Sequence, residues 1–440
     1  MMRLIRHLAC VAGGLGVLAS CTDSEVILPG KREPISAVYG EIDAASGISS
    51  TLKAFTPPKP KINAEWPQNP GNEATRTTHA ALSSTPSLIW RTSIGTGDRL
   101  RHRLSADPVV YNNTIFALDS KSVISAVSFA GDVLWSKDLT PAVEKPGQAD
   151  GGGIAAGDGL LFVATGYGKL WAINAQNGAV QWSQVLLGSG NSQPAYKDGL
   201  IYLVSNDSTA WAIEAKTGRI RWQVDGIADN NNAAGTSGPA VSEKFVLYGF
   251  GGGELQAAFR KGGLVQWSAT LAGGRSGRAI ATIEDIGSTP VIHGDTVFAA
   301  NTGGRLAAFD IQSGERRWSL GHGAKSYIWP AGNSLFFVND LSELMRVDRK
   351  TGAVQWTKRL PSFLKVNRFR SAEIVVHHGP VLAGGSLIVA SSDGVLRFFD
   401  PGTGQEKANI NLPDGATTAP IVAQQTLFVV TKSGELLAFR

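Results

Sequence analysis

The chain has 440 residues, enough for two or three ordinary domains or for one large repeat array. Lys and Arg together number 41 against 36 Asp and Glu, and this small, scattered positive excess argues against a nucleic-acid-binding protein. Hydrophobic residues make up 43% of the chain, so a packed core is expected, and the 52 glycines indicate many tight turns.

Residues 1–20 are predicted to be a signal peptide. Arg3 and Arg6 give a positive start, and the apolar run that follows is too short to span a bilayer. Leu18-Ala19-Ser20-Cys21 resembles the lipobox of bacterial lipoproteins, which implies that Cys21 becomes the first mature residue and carries acyl chains. Ordinary secretion with cleavage nearby is the alternative. The residue after the cysteine is Thr rather than Asp, which favours the outer membrane.

Residues 21–87 are predicted to be a tether between the lipidated cysteine and the folded body. They contain no copy of the repeat described below, and eight prolines break any long helix or strand. Trp66 is a lone aromatic residue in this stretch. It either docks on the folded body or is a solvated linker residue.

From Leu88 onward the chain repeats one short pattern, seen most clearly in LAAFDIQSGERRWS at residues 306–319. An apolar strand is followed by an acid, a glycine turn and a second strand that ends in Trp. Glycine precedes the Trp position by four residues in each copy, and the last copy keeps Gly404 but has Ala408 in place of Trp. The repeat tryptophans, for which packing between repeats is the simplest role, are Trp90, Trp135, Trp182, Trp222, Trp267, Trp318 and Trp356.

Each repeat is predicted to contain four antiparallel strands. In one unit the strands are expected at residues 289–292, 296–301, 305–310 and 315–319, with Gly-containing turns between them. Four such strands in a unit of about 38 to 52 residues are typical of a β-propeller blade.

The number of repeats and the two ends of the pattern predict a closed ring. The seven Trp positions and Ala408 count eight blades. The chain ends on the third strand of a blade, whereas residues 88–91 form a fourth strand with no blade before it. Joining the two gives an all-β, eight-bladed propeller over residues 88–440, in which the N-terminal strand completes the C-terminal blade and no edge stays open.

The loops that join one blade to the next are the long ones, and all of them are expected on one face of the ring. Binding residues are commonly found on such loops. Their charge is mixed, which suits a protein partner better than a polyanion, although plain solvated loops are the alternative. The charged residues of these loops include Arg99, Arg101, His102, Arg103, Arg275, Arg278, Arg368, Arg370, Asp225, Asp229, Glu284 and Asp285.

Catalytic and metal-binding patterns are weak. None of the seven histidines lies in a metal-spaced cluster, and no thiol remains after signal processing. The glycine strings at 151–153 and 251–253 lack the strand–turn–helix context of a dinucleotide site. Asp310 and Asp348 end third strands before glycine turns, where a carboxylate accepts hydrogen bonds from nearby backbone N–H groups. No catalytic residue, metal or cofactor is therefore expected.

The repeat Ala308-x-Asp310-x-x-x-Gly314-x-x-x-Trp318 resembles the tryptophan-docking repeat of quinoprotein dehydrogenases. In that family eight blades surround pyrroloquinoline quinone and a calcium ion, so a quinone-dependent dehydrogenase is the alternative function. Those enzymes are longer and typically carry a disulfide between adjacent cysteines, which this chain lacks. The resemblance therefore implies the fold and not the activity.

A lipobox joined to a single propeller of this kind resembles the family of the outer-membrane assembly factor BamB. The resemblance covers residues 88–440 and the lipid signal. It implies a lipid-anchored, non-enzymatic scaffold on the periplasmic face of the outer membrane, a monomer within a hetero-complex. Such a scaffold binds the POTRA domains of BamA and assists insertion of β-barrel proteins. A scaffold for another envelope complex is a third interpretation.

The resemblance also implies a partner surface on two neighbouring inter-blade loops. Residues 283–290 resemble one of them, with Asp285 as the matching acid and Gly287 in place of a second acid. The other loop, at residues 230–235, lacks the Leu and Arg residues of enteric relatives. The residues predicted to contact the partner are Asp229, Arg278, Glu284 and Asp285.

Overall fold

The computed structural model describes residues 52–69, 76–99, 102–149, 151–186, 188–190, 192–227, 237–271, 273–275, 283–364 and 373–440. The predicted signal peptide, the predicted lipid-attachment residue Cys21, and Asp229 and Arg278 lie outside these ranges. No helix within them has the length and apolar character that crossing a bilayer requires.

The described residues form eight four-stranded antiparallel sheets, which are the blades predicted from the repeat. Blade 1 contains β2 (Val109–Tyr111), β3 (Thr114–Leu118), β4 (Val123–Ser128) and β5 (Val133–Asp138). Blade 2 contains β6 (Gly152–Gly157), β7 (Leu160–Thr165), β8 (Lys169–Asn174) and β9 (Val180–Val185). Blade 3 contains β10 (Ala195–Lys197), β11 (Leu200–Val204), β12 (Thr209–Glu214) and β13 (Ile220–Asp225). Blade 4 contains β14 (Ala240–Val241), β15 (Phe245–Gly249), β16 (Glu254–Phe259) and β17 (Val265–Thr270).

The second half of the ring repeats this order. Blade 5 contains β18 (Val291–His293), β19 (Thr296–Ala300), β20 (Leu306–Asp310) and β21 (Arg316–Leu320). Blade 6 contains β22 (Trp329–Ala331), β23 (Ser334–Val338), β24 (Glu343–Asp348) and β25 (Val354–Arg359). Blade 7 contains β26 (His377–Ala383), β27 (Ser386–Ser391), β28 (Val395–Phe399) and β29 (Glu406–Asn411). Blade 8 contains β30 (Ile421–Ala423), β31 (Thr426–Val430), β32 (Glu435–Phe439) and β1 (Leu88–Ser93). In blade 5 the strands lie within two residues of their predicted bounds.

The two ends of the propeller sequence meet in blade 8, as predicted. Strand β1 pairs antiparallel with β32, with Trp90 opposite Ala438 and Ser93 opposite Glu435. The backbones of Ser87 and Arg440 exchange two hydrogen bonds of 2.8 and 2.9 Å just outside this pair. The eighth blade is therefore built from both ends of the chain, and the ring has no unpaired edge between its first and last blades.

Each repeat tryptophan lies against the turn between the third and fourth strands of the next blade. The indole of Trp135 packs on Gly178, where a Cβ would lie 2.8 Å from the ring. Gly178 also has a φ of 72°, which favours glycine. The Trp135 Nε1 donates to the Ala175 carbonyl at 3.3 Å. Equivalent indole-to-carbonyl bonds are made by Trp90, Trp182, Trp222, Trp267, Trp318 and Trp356.

The absence of Trp at position 408 has a structural reason. Blade 8, which follows it, has no turn between its third and fourth strands, because β32 and β1 come from opposite ends of the propeller sequence. The glycine and the carbonyl that receive an indole elsewhere are replaced there by the paired ends, Ser87 and Arg440. An indole at position 408 would therefore lack its partner, and Ala408 fits.

The antiparallel order of each blade defines two faces of the ring. Connections from a fourth strand to the next first strand lie on one face, named here the long-loop face. The turns between first and second strands, and between third and fourth strands, lie on the other, named the hairpin face. First strands of neighbouring blades contact one another and surround a central channel. Second and third strands are almost wholly buried between blades, whereas most outer strands are exposed.

Part of the stretch predicted as a tether enters the channel from the hairpin face. Residues 52–69 and 76–87 are named here the N-terminal segment. Trp66 exchanges backbone hydrogen bonds of 2.8 and 2.9 Å with Val110 on β2, and the Ala156 N–H of β6 donates to the Pro67 carbonyl at 2.8 Å. Trp66 is only 2% exposed. Trp66 is therefore docked on the folded body and is not a solvated linker residue.

The N-terminal segment returns past blades 5, 6 and 7. Arg76 donates to the Ile292 carbonyl at 2.9 Å, and the Trp329 Nε1 donates to the Thr78 carbonyl at 2.9 Å. Ala80 forms a parallel bridge with Ala383 and is fully buried. These contacts reach first strands of several blades. The segment therefore fills the hairpin end of the channel.

Candidate functional site at the long-loop end of the channel

The long-loop end of the channel is open and forms a funnel-shaped cavity of about 650 Å³. Its walls come from the starts of the first strands and from the loops before them, because these strands converge on the axis. The N-terminal segment contributes Asn69 at the inner end. Polar and charged residues of the lining include Asp98, Arg103, Asp107, Gln193, Lys325, Glu373, His377 and Lys432.

Asp107 ties three blades together at the wall of the funnel. Its Oδ2 accepts a hydrogen bond of 2.6 Å from the Tyr327 hydroxyl of blade 6. Its Oδ1 accepts one of 2.8 Å from the Ala419 N–H of blade 8. Burial disfavours the carboxylate and raises the pKa of Asp107 to about 6, although both hydrogen bonds act in the opposite direction. Asp107 is thus a buried structural acid with a pKa close to neutrality.

An aromatic stack occupies the axis below Asp107. Trp66 of the N-terminal segment lies parallel to Trp329, with ring centroids 6.0 Å apart and planes inclined by 10°. Trp329 in turn stacks with Tyr327 at 6.4 Å. All three side chains are at most 9% exposed. The stack separates the open funnel from the filled hairpin end.

Two adjacent histidines border the funnel in uncharged form. The His377 Nδ1 lies 2.7 Å from the Ser391 hydroxyl, and its Nε2 lies 2.9 Å from the Pro361 carbonyl. Burial lowers the pKa of His377. Burial, with the neighbouring His377 and Lys432, lowers the pKa of His378 to about 4. Neither imidazole therefore adds positive charge to the funnel at neutral pH.

The predicted partner loop at residues 283–290 lies at the rim between blades 4 and 5. The Thr302 N–H donates to the Asp285 carbonyl at 3.1 Å, and the Ile286 N–H donates to the Phe250 carbonyl at 3.4 Å. Asp285 is only 6% exposed, whereas Glu284 is half-buried. Two of the four residues predicted to contact a partner, Glu284 and Asp285, lie in the described ranges. Of these two, Glu284 therefore has the more accessible side chain.

Charged groups elsewhere on the long-loop face form ion pairs within loops and between loops. Arg275 reaches the buried Asp340 with an Nε–Oδ2 distance of 3.0 Å and donates to the Gly321 carbonyl at 2.8 Å. This contact joins the loop before blade 5 to the loops of blades 5 and 6. Arg103 pairs with Asp98 at 2.9 Å, and Lys432 pairs with Glu373 at 3.3 Å. The mixed charge predicted for this face thus includes several matched pairs.

The carboxylates of the repeat turns have the geometry expected of turn acids. Asp310 accepts from the N–H groups of Gln312 and Ser313 at 2.8 and 3.0 Å. Asp348 accepts from the corresponding groups of its own turn. Across the described ranges, no group of three or more His, Cys, Asp or Glu side chains could hold a metal ion.

Sequence reasoning missed two residues of the funnel wall and the stack below them. Asp107 and Tyr327 lie outside the repeat pattern, and their contact joins distant parts of the chain. The positions of the tryptophans in the sequence did give an indication of the axial stack. Seven of the eleven fall at the repeat position, and two of the remaining four, Trp66 and Trp329, form the axial stack.

Comparison with known sequences places this architecture in a family. Residues 120–358 match the family model described as outer membrane protein assembly factor BamB. BamB of Escherichia coli (strain K12) is 30% identical over 358 residues, an alignment that covers 80% of this chain and 88% of that protein. BamB of Shewanella oneidensis is 27% identical over 360 residues, with the same shares covered.

Solved structures share the fold at lower identity. BamB from Moraxella catarrhalis superposes with a TM-score of 0.67 at 18% identity, covering 81% of this chain and all of that one. Quinohemoprotein alcohol dehydrogenase from Comamonas testosteroni superposes at 0.63 and 12% identity, covering 86% and 80%. The fold is thus common to assembly factors and dehydrogenases, whereas the sequence matches distinguish between them. The chain belongs to the outer membrane protein assembly factor BamB family.

Proposed function

We propose that this protein is a lipid-anchored scaffold of the machinery that inserts β-barrel proteins into the outer membrane. The observation that carries the proposal is the match to the assembly-factor family over more than half of the chain. The fold supports it, because the open funnel and the inter-blade loops lie on one face. A rigid ring of this kind presents its loops to a partner without rearranging its core.

The proposed partner is BamA, through its periplasmic POTRA domains. The docking loop is 283–290, held in place by backbone hydrogen bonds to blades 4 and 5. Glu284 offers an accessible carboxylate, while the buried Asp285 supports the loop from below. Arg278 and Asp229 complete the proposed surface by sequence position. A rim charge of this type mainly affects the association rate and the choice of partner.

The proposed site of action is the periplasmic face of the outer membrane. Its support is the lipobox-like sequence ending in Cys21, followed by Thr22. More than one acyl chain on a single cysteine gives stable anchoring, since each buried methylene contributes about 0.8 kcal/mol. Replacing Cys21 with Ser should move the protein from the membrane fraction to the soluble periplasmic fraction.

We propose a non-catalytic role rather than a quinone-dependent dehydrogenase. The residues of the channel do not fit the cofactor set of the resembling enzymes. No pair of adjacent cysteines is present, and the described residues offer no cluster of carboxylates for calcium. The protein's own Trp66 and Asn69 also take up space on the channel axis. Incubation with quinone and calcium, followed by a dye-reduction assay, tests this directly: clear turnover would establish the dehydrogenase.

Co-purification tests the proposed scaffold function. Isolation of BamA from outer membranes in mild detergent should recover this protein in stoichiometric amount. Glu284→Lys should reduce the recovery, whereas Glu406→Lys, an exposed charge reversal on the outer strand β29, should not. Loss of the wild-type protein from the complex under these conditions would refute the proposed function.

A further inference from the structure

A short two-stranded ribbon projects from the long-loop face between blades 6 and 7. We name residues 362–364 and 373–376 the apolar ribbon. Phe363 and Ile374 form an antiparallel bridge. The Leu364 N–H donates to the Glu373 carbonyl at 2.9 Å, and the Val375 N–H donates to the Ser362 carbonyl at 3.0 Å. The ribbon is therefore a hydrogen-bonded element rather than an irregular loop.

The base of the ribbon is fixed in the propeller. Val375 is 2% exposed, and the Ser392 N–H donates to the Val376 carbonyl at 2.9 Å. His377 holds the Pro361 carbonyl at 2.9 Å on the opposite side of the base. A base held from both sides keeps the ribbon extended, so its side chains need little reordering to bind a partner.

The ribbon carries a strip of exposed apolar side chains. Phe363 is 50% exposed, Ile374 65% and Val376 50%. Phe363 lies opposite Ile374, and Ile374 and Val376 are two residues apart, so all three share one side of the ribbon. Ile374 and Val376 also line the funnel. The strip thus runs from the tip of the described ribbon into the funnel mouth.

Such a cluster of exposed apolar side chains is unusual on the long-loop face. In the described parts of the other inter-blade loops, exposed large apolar side chains occur singly, as Val143 and Ile227. Scattered exposed apolar residues are normal on proteins, whereas a contiguous exposed patch on a fixed element indicates a binding surface.

The surroundings of the strip favour a protein over a lipid surface. Among the described residues beside the strip, Glu373 of the ribbon pairs with Lys432 at 3.3 Å. Arg397 pairs with Asp393 at 2.6 Å. Part of the strip lines the recessed funnel mouth, which a protruding loop of a protein can enter and a flat bilayer surface cannot. The described N-terminal segment fills the hairpin end of the channel, so it does not cover the strip.

The strip also shares the funnel rim with the proposed partner loop. Gly287 and Ser288, at the end of that loop, line the same cavity as Ile374 and Val376. We propose that the strip is a second contact for the protein that docks beside Glu284, receiving an apolar loop or edge strand of that partner across the funnel mouth. This inference rests on the proposed function and adds to it a contact for apolar side chains.

The test measures binding of the full-length protein to the purified periplasmic domain of BamA by titration calorimetry. The ribbon variant carries Phe363→Ser, Ile374→Ser and Val376→Ser. The control carries Val133→Ser, Leu134→Ser and Val185→Ser, three comparably exposed apolar residues on outer strands. We expect the ribbon variant to bind at least roughly tenfold more weakly, the scale of an interface hot spot, and the control to bind like wild type.

Four results would overturn the inference. One is wild-type affinity in the ribbon variant while Glu284→Lys is impaired, which leaves the proposed function intact. Another is equal weakening in the ribbon and control variants. The third is a wild-type dimer in light scattering that the ribbon variant lacks, since a second copy would then be the occupant. If the wild type shows no binding, the proposed function fails and the inference fails with it. The single variant Ile374→Ser, at a 65% exposed position, guards against misfolding of the triple variant.

Discussion

The two ends of the central channel differ although the same eight first strands surround both. At the hairpin end, the N-terminal segment satisfies strand N–H and carbonyl groups and buries Trp66 and Ala80. At the long-loop end, the same channel opens into a funnel with charged pairs and an apolar ribbon at its rim. The comparison separates stabilising contacts from contacts available to a partner. Variants at the filled end should affect folding, and variants at the open end should affect binding.

Loss of ring closure is expected to reduce stability more than any other change, because both ends of the channel depend on the closed ring. Deleting residues 435–440 removes β32, the strand that joins β1 to β31. We expect loss of cooperative folding, since β1 and β31 would both be left with unpaired edges. Thermal unfolding followed by circular dichroism measures it. An unchanged melting temperature would contradict the closure.

At the filled end, Trp66→Ala should lower the free energy of unfolding by about 3–5 kcal/mol, the usual cost of removing a buried aromatic side chain. The stack on Trp329 and the packing of the segment in the channel would both be lost. Denaturant unfolding measures the change. Ile62→Ala, at a 69% exposed position of the same segment, is the control and should change stability little. Equal losses in the two variants would show that the segment is not a stabilising plug.

At the boundary between the ends, Asp107 should make stability depend on pH. Its pKa is raised from 3.8 to about 6 in the folded protein, so between these values the folded state binds more protons than the unfolded state. The contribution of Asp107 to the free energy of unfolding therefore falls as pH rises from about 4 to 6, by about 3 kcal/mol in total. Asp107→Asn should remove this dependence. The difference in unfolding free energy between wild type and variant, measured across that range, checks it, and parallel curves would contradict it.

At the open end, Ile374→Ser should change the free energy of unfolding by less than about 0.5 kcal/mol, because the side chain is 65% exposed. Denaturant unfolding under the conditions used for Trp66→Ala gives a direct comparison. A loss as large as that of Trp66→Ala would mean that the ribbon is part of the stabilising core, and the contrast between the two ends would disappear.

The fold followed from the sequence because its information is local and repeated. Each copy of the pattern contains its own strands, glycine turn and docking Trp, so the blade count and the closing strand were readable without the structure. Even Ala408 is consistent with this repeat pattern, since the blade that it faces has no glycine turn between its third and fourth strands.

The funnel did not follow from the sequence, because its parts come together only after the ring has closed. Trp66 lies in a Pro-containing stretch without periodicity, and its partner Trp329 belongs to blade 6. Asp107 gives no sign of burial until Tyr327 and Ala419 are placed beside it. The buried position of Asp285 could not be inferred either, since a charged residue in a long loop is usually solvated.

Blade 8 has a consequence for how the protein reaches its native state. Ser87 and Arg440, which hydrogen-bond at the outer end of this blade, are 353 residues apart in sequence. Contacts of such separation make folding slow, because the entropy of closing the chain must be overcome before the contact stabilises anything. In the proposed export to the periplasm, β1 emerges long before β32, the strand that pairs with it. We therefore expect the edge of β1 to remain open until β32 has emerged, a period in which a periplasmic chaperone would protect the chain from aggregation.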